Sequence, residues 1–304
     1  MGMKRVFAAS AVFAAFTAVS AEAQAPSPDA SPAPGYTIDA IRYATVHDFA
    51  LSNLVIGASK DAKTDIAMAV WLIRGGDRTI LFDTGFHRAR WMSAFKIDDF
   101  LSPDEAVRLA GIEPGSVTDI IVSHAHWDHL GGLDLFPNAT LWIQKAEYEY
   151  YTGAAWQPGG RKGGIDADDI QELVRRNLAG KVRLVDGDDR EILPGIRVYT
   201  GARHTFASQY IRVDSAQPIV LASDNCYLYE NLSSHRASAT FERSDEAANL
   251  AAQQRMISLA GDVSRVVPGH DPEQFVRYKA TGRVARIQSA IPRTQAPARG
   301  GPRG

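Results

Sequence analysis

Between Ile120 and Gly132 the chain reads IIVSHAHWDHLGG, which crowds three of its eight histidines and one aspartate into six positions. Imidazole nitrogens and a carboxylate oxygen are the donors that divalent transition metals take. In an extended segment residues i and i+2 point the same way, so His124 and His126 can grip one ion. Once the chain turns, Asp128 and His129 face another side and can serve a second ion close by. Zn²⁺ suits this donor set, with iron or manganese as other occupants. Gly131 and Gly132 are expected to let the backbone turn tightly behind the ligands. The competing reading is a surface histidine cluster that holds no metal.

Two ions need more ligands than this motif supplies. YTGARHT, LASDN and RVVPGHD each read as an apolar strand ending in a turn, and the turns carry His204, Asp224 and His270. Ligand-type side chains repeated at strand ends are how sheet scaffolds assemble sites on their loops. His87 is read as a plain polar residue, His47 and His235 as structural or surface residues, and Cys226 as packing.

The elements that must present these residues alternate between strands and helices. AVWLIRGGDRTILFDTG reads as a hairpin around an Arg-Gly-Gly-Asp turn and ends near Asp83. QYIRVDSAQPIVLASDN repeats strand, turn and strand at the same length and ends at Asp224. TDIIVSH is a short buried strand that feeds the histidine loop. SPDEAVRLAG starts as a helix should: Ser102 caps, Pro103 takes the first position and Glu105 completes a capping box. DADDIQELVRRNLAG and SDEAANLAAQQRMISLAG are further helices, each ended by glycine. Two similar β-rich halves with helices predict two sheets packed face to face, with helices outside.

Composition bounds the rest. The chain has 304 residues, 33 Lys and Arg against 35 Asp and Glu, and no long basic run, which argues against a nucleic-acid partner. Lys4 and Arg5, the apolar run Val6 to Val19 and Ala21-Glu22-Ala23 read as an export signal over residues 1–23, cut near 23–25. That run falls short of the ~20 residues that span a bilayer, so no stable membrane anchor is expected after cleavage. The expected location is periplasmic or secreted. A single cysteine, Cys226, permits no internal disulfide, so stability must come from the core or from bound metal. Residues 24–35 are a proline-rich spacer, 36–290 the folded domain, and 291–304 a Pro-, Gly- and Arg-rich tail expected to be disordered.

His-x-His-x-Asp-His followed by His204, Asp224 and His270 resembles the metallo-β-lactamase superfamily, from about Val70 to Tyr278. The resemblance implies an α+β, four-layer αββα sandwich of two mixed sheets, with a two-metal site at one edge. It implies that His124, His126 and His204 hold one metal, that Asp128, His129 and His270 hold the other, and that Asp224 bridges them. Asp83 in LFDTG matches the family's supporting aspartate, which steadies ligand histidines from behind. Among the branches, Asp224-Asn225-Cys226-Tyr227 is similar to the Asp-x-x-Tyr of the N-acyl-homoserine lactonases, where the tyrosine hydroxyl faces the substrate carbonyl. GHDPEQF also looks like the lactonase ending, and Trp127 stands where that branch often has an aromatic residue, placed to wall an acyl-chain pocket. One departure stands out. Ala202-Arg203 replaces the family's usual Pro-Gly, and Arg203 could meet an anionic substrate or product.

Two metals roughly 3.5–4 Å apart hold water as hydroxide near neutral pH, since coordination lowers its pKa from 15.7 towards ~7. Hydrolysis of a small molecule is the expected chemistry, with a lactone ring as first substrate. Metal-borne hydroxide would attack the carbonyl, Tyr227 would hold the oxyanion, and Asp128 would shuttle a proton. The alternatives are a β-lactam, phosphoester or aryl-ester hydrolase, and a non-catalytic metal-binding or lactone-sensing protein. Tyr150 to Asp169, rich in glycine and aromatics, is expected to form a substrate-facing flap.

Overall fold

Along two long neighbouring strands, β1 (Thr37–Ala50) and β2 (Lys63–Gly75), apolar side chains alternate sides and both sides are buried. A sheet covered on both faces needs a layer above and a layer below. The computed structural model describes residues 35–215 and 217–288. The expected export signal, the spacer up to residue 34 and the tail lie outside the described residues.

The further strands are β3 (Arg78–Phe82), β4 (Asp119–Ile121), β5 (Thr140–Gln144), β6 (Val182–Val185), β7 (Arg190–Leu193), β8 (Ile196–Thr200), β9 (Gln209–Val213), β10 (Ile219–Ser223), β11 (Val266–Pro268), β12 (Lys279–Thr281) and β13 (Val284–Gln288). One sheet runs β12-β13-β1-β2-β3-β4-β5-β6 and the other β11-β10-β9-β8-β7. Both are mixed: β3 to β6 pair in parallel, as do β10 and β11, and the remaining pairs are antiparallel. Helices are α1 (Ala89–Ala94), α2 (Pro103–Leu109), α3 (Trp127–Leu130), α4 (Lys145–Tyr151), α5 (Ala167–Leu178), α6 (Tyr229–Ser234), α7 (Glu246–Ala260) and α8 (Gln274–Arg277).

Period-two alternation sorts the core into layers. Trp71, Ile73, Phe82 and Ile121 of the first sheet meet Val198, Ile211, Leu221 and Val267 of the second. The opposite face of the first sheet, with Val70, Leu72, Leu81 and Ile120, packs on Val107 of α2 and Leu173 of α5. The opposite face of the second, with Tyr210, Val220 and Val266, packs on Leu232 of α6 and Met256 of α7. Helix, sheet, sheet, helix is the expected αββα order.

The two hairpins fall one in each sheet, β2–β3 and β9–β10. Their ends correspond with a shift of one residue. The left-handed residue that closes the first is Asp83 (φ 64°), and the one that closes the second is Ser223 (φ 47°), not Asp224. The expected capping box at α2 does not form. The Ser102 hydroxyl donates to the Asp104 carboxylate instead, and no side chain caps the helix. Asp166 does cap α5, accepting from the Asp168 N–H, and Gly180 and Gly261 follow α5 and α7 in left-handed conformations.

Candidate metal centre

β4 delivers the histidine loop, the loop after β8 carries His204, β10 ends at Asp224, β11 leads to His270, and Asp83 follows β3. These strands point in one direction within each sheet, so their ends share one edge. The seven expected ligands converge there from four stretches of chain, in two clusters: His124, His126, His204 and Asp224, and Asp128, His129 and His270. His126 Nδ1 lies 3.1 Å from His124 Nε2 and 3.0 Å from His204 Nε2. Asp224 faces both groups. Its Oδ2 lies 3.3 Å from His204 Nε2, and its Oδ1 lies 3.0 Å from His270 Nε2 and 3.3 Å from His129 Nε2. Asp128 and His129 sit in the helical turn α3, with Asp128 Oδ2 3.5 Å from His129 Nε2 and 3.6 Å from His270 Nε2.

Outer partners fix which nitrogen carries the proton in four of the five rings. A backbone carbonyl only accepts, so His204 Nδ1 donates to Ala239 O (3.0 Å) and His270 Nδ1 to Ala67 O (3.1 Å). His129 Nδ1 donates to Asp83 Oδ2 (2.8 Å). His124 Nδ1 pairs with Ser123 Oγ (2.8 Å), whose own proton goes to Asp83 Oδ2 (2.8 Å). Each of these four rings therefore turns a bare lone pair towards the centre. Buried His129 Nε2 and Asp224 Oδ1 approach each other yet have no hydrogen-bond partner. Lone pairs facing lone pairs in a buried pocket fit a cation, and imidazole with carboxylate fits a divalent transition metal.

Electrostatics divide the clusters. Burial pulls His124 well below its ordinary range, and burial with His204 brings His126 down to about 3, so these rings are neutral donors. Burial acts the same way on His129 and His270, but Asp224 and Asp128 outweigh it and raise both. Burial opposes the Asp224 charge, yet His129 and His270 hold its carboxyl well below the usual range.

Asp83 is fully buried behind the centre and also accepts from Ser123 N (2.7 Å) and Ser223 Oγ (3.0 Å). Tyr227 stacks on His270, with its hydroxyl 3.4 Å from His204 Nδ1, and faces the cavity beside Asp224. Burial, then the charges of Asp224 and Asp128, hold its phenol well above the ordinary value, so it stays protonated and can donate. Trp127 lines the cavity and forms a three-ring cluster with Trp91 (4.7 Å) and Phe95 (4.9 Å), which lie 6.0 Å from each other. Arg203 is not among the cavity's lining residues. Its guanidinium stacks on Phe206 and Phe241 and lies 3.8 Å from Asp245, and its φ of 50° takes the left-handed conformation that glycine favours.

The cavity over the centre measures about 300 Å³, and Val46, Phe49, Leu54, Ile66, Met68 and Phe95 form much of its apolar lining. Gly163 and Gly164 of the glycine-rich segment line it too, and a Cβ on Gly164 would come within 2.8 Å of the His126 ring. Gly132 is needed for a different reason than expected. Its φ is −104°, but a Cβ there would meet Thr84 O at 2.2 Å, so it serves close approach rather than a turn. His87 pairs with Asp134, His47 with Asp65, and His235 ends α6, all away from the centre. Sequence reasoning missed Ser123, Ser223 and Glu147, whose hydrogen bonds only the folded chain reveals.

Residues 69–270 match the metallo-β-lactamase superfamily. Over 179 residues the chain is 28% identical to the N-acyl homoserine lactonase AttM of Azorhizobium caulinodans, a match over 57% of this chain and 65% of that protein. It thus spans just under two thirds of that relative's length. Over 238 residues it is 26% identical to the N-acyl homoserine lactonase AiiB of Agrobacterium fabrum, covering 69% of this chain and 82% of AiiB. A crystal structure of a quorum-quenching N-acyl homoserine lactone lactonase superposes with a TM-score of 0.67 at 19% identity, over 84% of this chain and 99% of that one. The dizinc quorum-quenching lactonase AidC, in complex with a product, N-hexanoyl-L-homoserine, gives 0.61 at 18%, over 86% and 97%. At these identities the structural likeness is one of fold. With its signature matched across two thirds of its length, the chain belongs to the metallo-β-lactamase superfamily.

Proposed function

We propose that the chain is a dinuclear, metal-dependent hydrolase that opens lactone rings of the N-acyl-homoserine type. The observation that carries this reading is the pair of ligand clusters sharing Asp224 at the floor of an apolar cavity, with the Tyr227 phenol beside them. His124, His126 and His204 would hold one ion, Asp128, His129 and His270 the other, and Asp224 would join both; zinc suits the donors. Bound there, two divalent ions supply Lewis acidity and lower the pKa of water at neutral pH. The named lactonase relatives support the substrate class.

The chain's own residues do the remaining work. Val46, Phe49, Ile66 and Met68 take the acyl group out of water. The Tyr227 Oη–H donates to the carbonyl oxygen as charge develops on it. Asp128, partly buried on the cavity floor, takes a proton from the water as it adds to the carbonyl and passes it to the ring oxygen as that oxygen leaves. Asp83 and Ser123 keep the rings in their donor tautomers. Water adds across the ester bond, and the product is a hydroxy acid that releases one proton.

That proton is the test. Metal-loaded protein in a pH-stat with a panel of acyl-homoserine lactones is expected to consume base at rates that rise with apolar chain length. No acid from any lactone, with turnover of a β-lactam, phosphoester or aryl ester instead, would transfer the assignment to that bond. We further propose a periplasmic or secreted location, which fractionation of cells producing the full chain would test.

A further inference from the structure

α4 begins directly after β5, and its third residue, Glu147, is fully buried. Its Oε1 accepts from Ala125 N (2.9 Å) and Thr205 Oγ1 (2.6 Å), and its Oε2 from Ala207 N (2.6 Å). Ala125 lies between His124 and His126, and Thr205 directly follows His204. One carboxylate thus ties together the two loops that carry all three histidines of one cluster. Nothing of Asp128, His129 or His270 is bonded to it. No Lys or Arg pairs with it among the described residues, and burial pushes its carboxyl up to about 7. A carboxylate buried among neutral donors alone is costly, and such a group persists where a positive charge nearby offsets the burial.

We propose that Glu147 is a positioning residue for one half of the centre: it sets the spacing between the His124–His126 loop and the His204 loop. It also supplies negative charge behind a cation held by those three imidazoles. Asp83 plays the corresponding part for His129. This inference rests on the metal reading proposed above.

The two readings are separated by titrating metal-free wild type and Glu147→Gln with Zn²⁺ or Co²⁺ against a chelator. Glutamine keeps an acceptor for Ala125 and Thr205 but turns an NH₂ towards the Ala207 N–H. Wild type is expected to take two ions. In Glu147→Gln one of them should weaken by ~10–100-fold while the other holds its affinity, as for loss of an outer partner of a ligand. The Co²⁺ absorption band of one site alone should shift, and excess free metal should restore turnover. Thr205→Val removes a single donor and is expected to act in the same direction but less. In the double variant it should add less than it does alone, because both act through one contact. Should Glu147→Gln not fold, Thr205→Val carries the same readout. Wild type binding two ions, with both sites weakened equally or neither weakened, would overturn the assignment of Glu147 alone. A wild type that takes up no metal would overturn the metal reading, and this assignment with it.

Discussion

In the floor at and beneath the cavity, His124, His129, His204 and His270 each have the second ring nitrogen fixed by a hydrogen bond of 2.8–3.1 Å. On its wall, Trp127 is held by a cluster of rings, Trp91 and Phe95 packed on it and on each other, and by an edge contact to Phe86. The wall helix α1 has no side-chain cap. It is fastened instead by Arg88 to Asp169, Arg90 to Asp166, and the Trp91 indole N–H to Asp166. Hydrogen bonds have direction and fix atoms to tenths of an ångström, as ligation requires. Ring packing is less directional, so on the proposed reading the Trp127 cluster would accommodate different acyl chains. On that reading the floor would serve chemistry and the wall selection.

The largest expected effect breaks the floor at its shared point. Asp224→Ala should abolish measurable lactone turnover and lower the affinity of both ions, read by metal titration alongside the rate. Tyr227→Phe leaves the ligands intact and removes one donor. It should cut kcat by about 10²-fold, as for loss of an oxyanion donor, with KM and metal content unchanged. The wall responds differently. Phe95→Ala should raise KM about tenfold for long acyl chains, equivalent to ~1.4 kcal/mol of lost apolar contact, and leave short chains unaffected. An equal effect on short chains would erase the distinction between floor and wall.

The smallest effect concerns the loop that leads into α1. His87 Nε2 lies 2.9 Å from Asp134 Oδ1, and that hydrogen bond raises the imidazole above its ordinary value. A raised value in the folded state means the pair stabilises fully below the ordinary histidine range of about 6.5 and ceases to do so as pH climbs through the raised value. His87→Ala should therefore destabilise the fold more at about pH 5.5 than at about pH 8.5, by no more than ~1 kcal/mol because the pair is partly solvated, read as a larger drop in Tm at the lower pH. Catalysis should not change.

The floor was legible because its donors are rare residue types at strand ends, and short motifs fix their local geometry. His204, Asp224 and His270 could be read one loop at a time, and the layer order followed from the hairpins. The wall could not be read that way. Trp91 lies in a six-residue helix without a side-chain cap and Phe95 directly follows it, and both gain their role only by packing on Trp127 far along the chain. Glu147 looks like one more acid in KAEYEYY until folding brings Ala125 and Thr205 to it. Ser102 shows the opposite error: its capping-box pattern was present, but a nearer carboxylate on Asp104 took the hydroxyl. Arg203 misled as well, since its charge suggested a substrate contact while Phe206 and Phe241 claim the guanidinium.

The most direct test is elemental analysis of the protein as purified, followed by equilibration with zinc and a second analysis. Close to two transition-metal equivalents per chain are expected, before or after loading, with both lost in Asp224→Ala. A folded wild type that holds far less than two and takes up none when offered would contradict the dinuclear centre and the chemistry built on it.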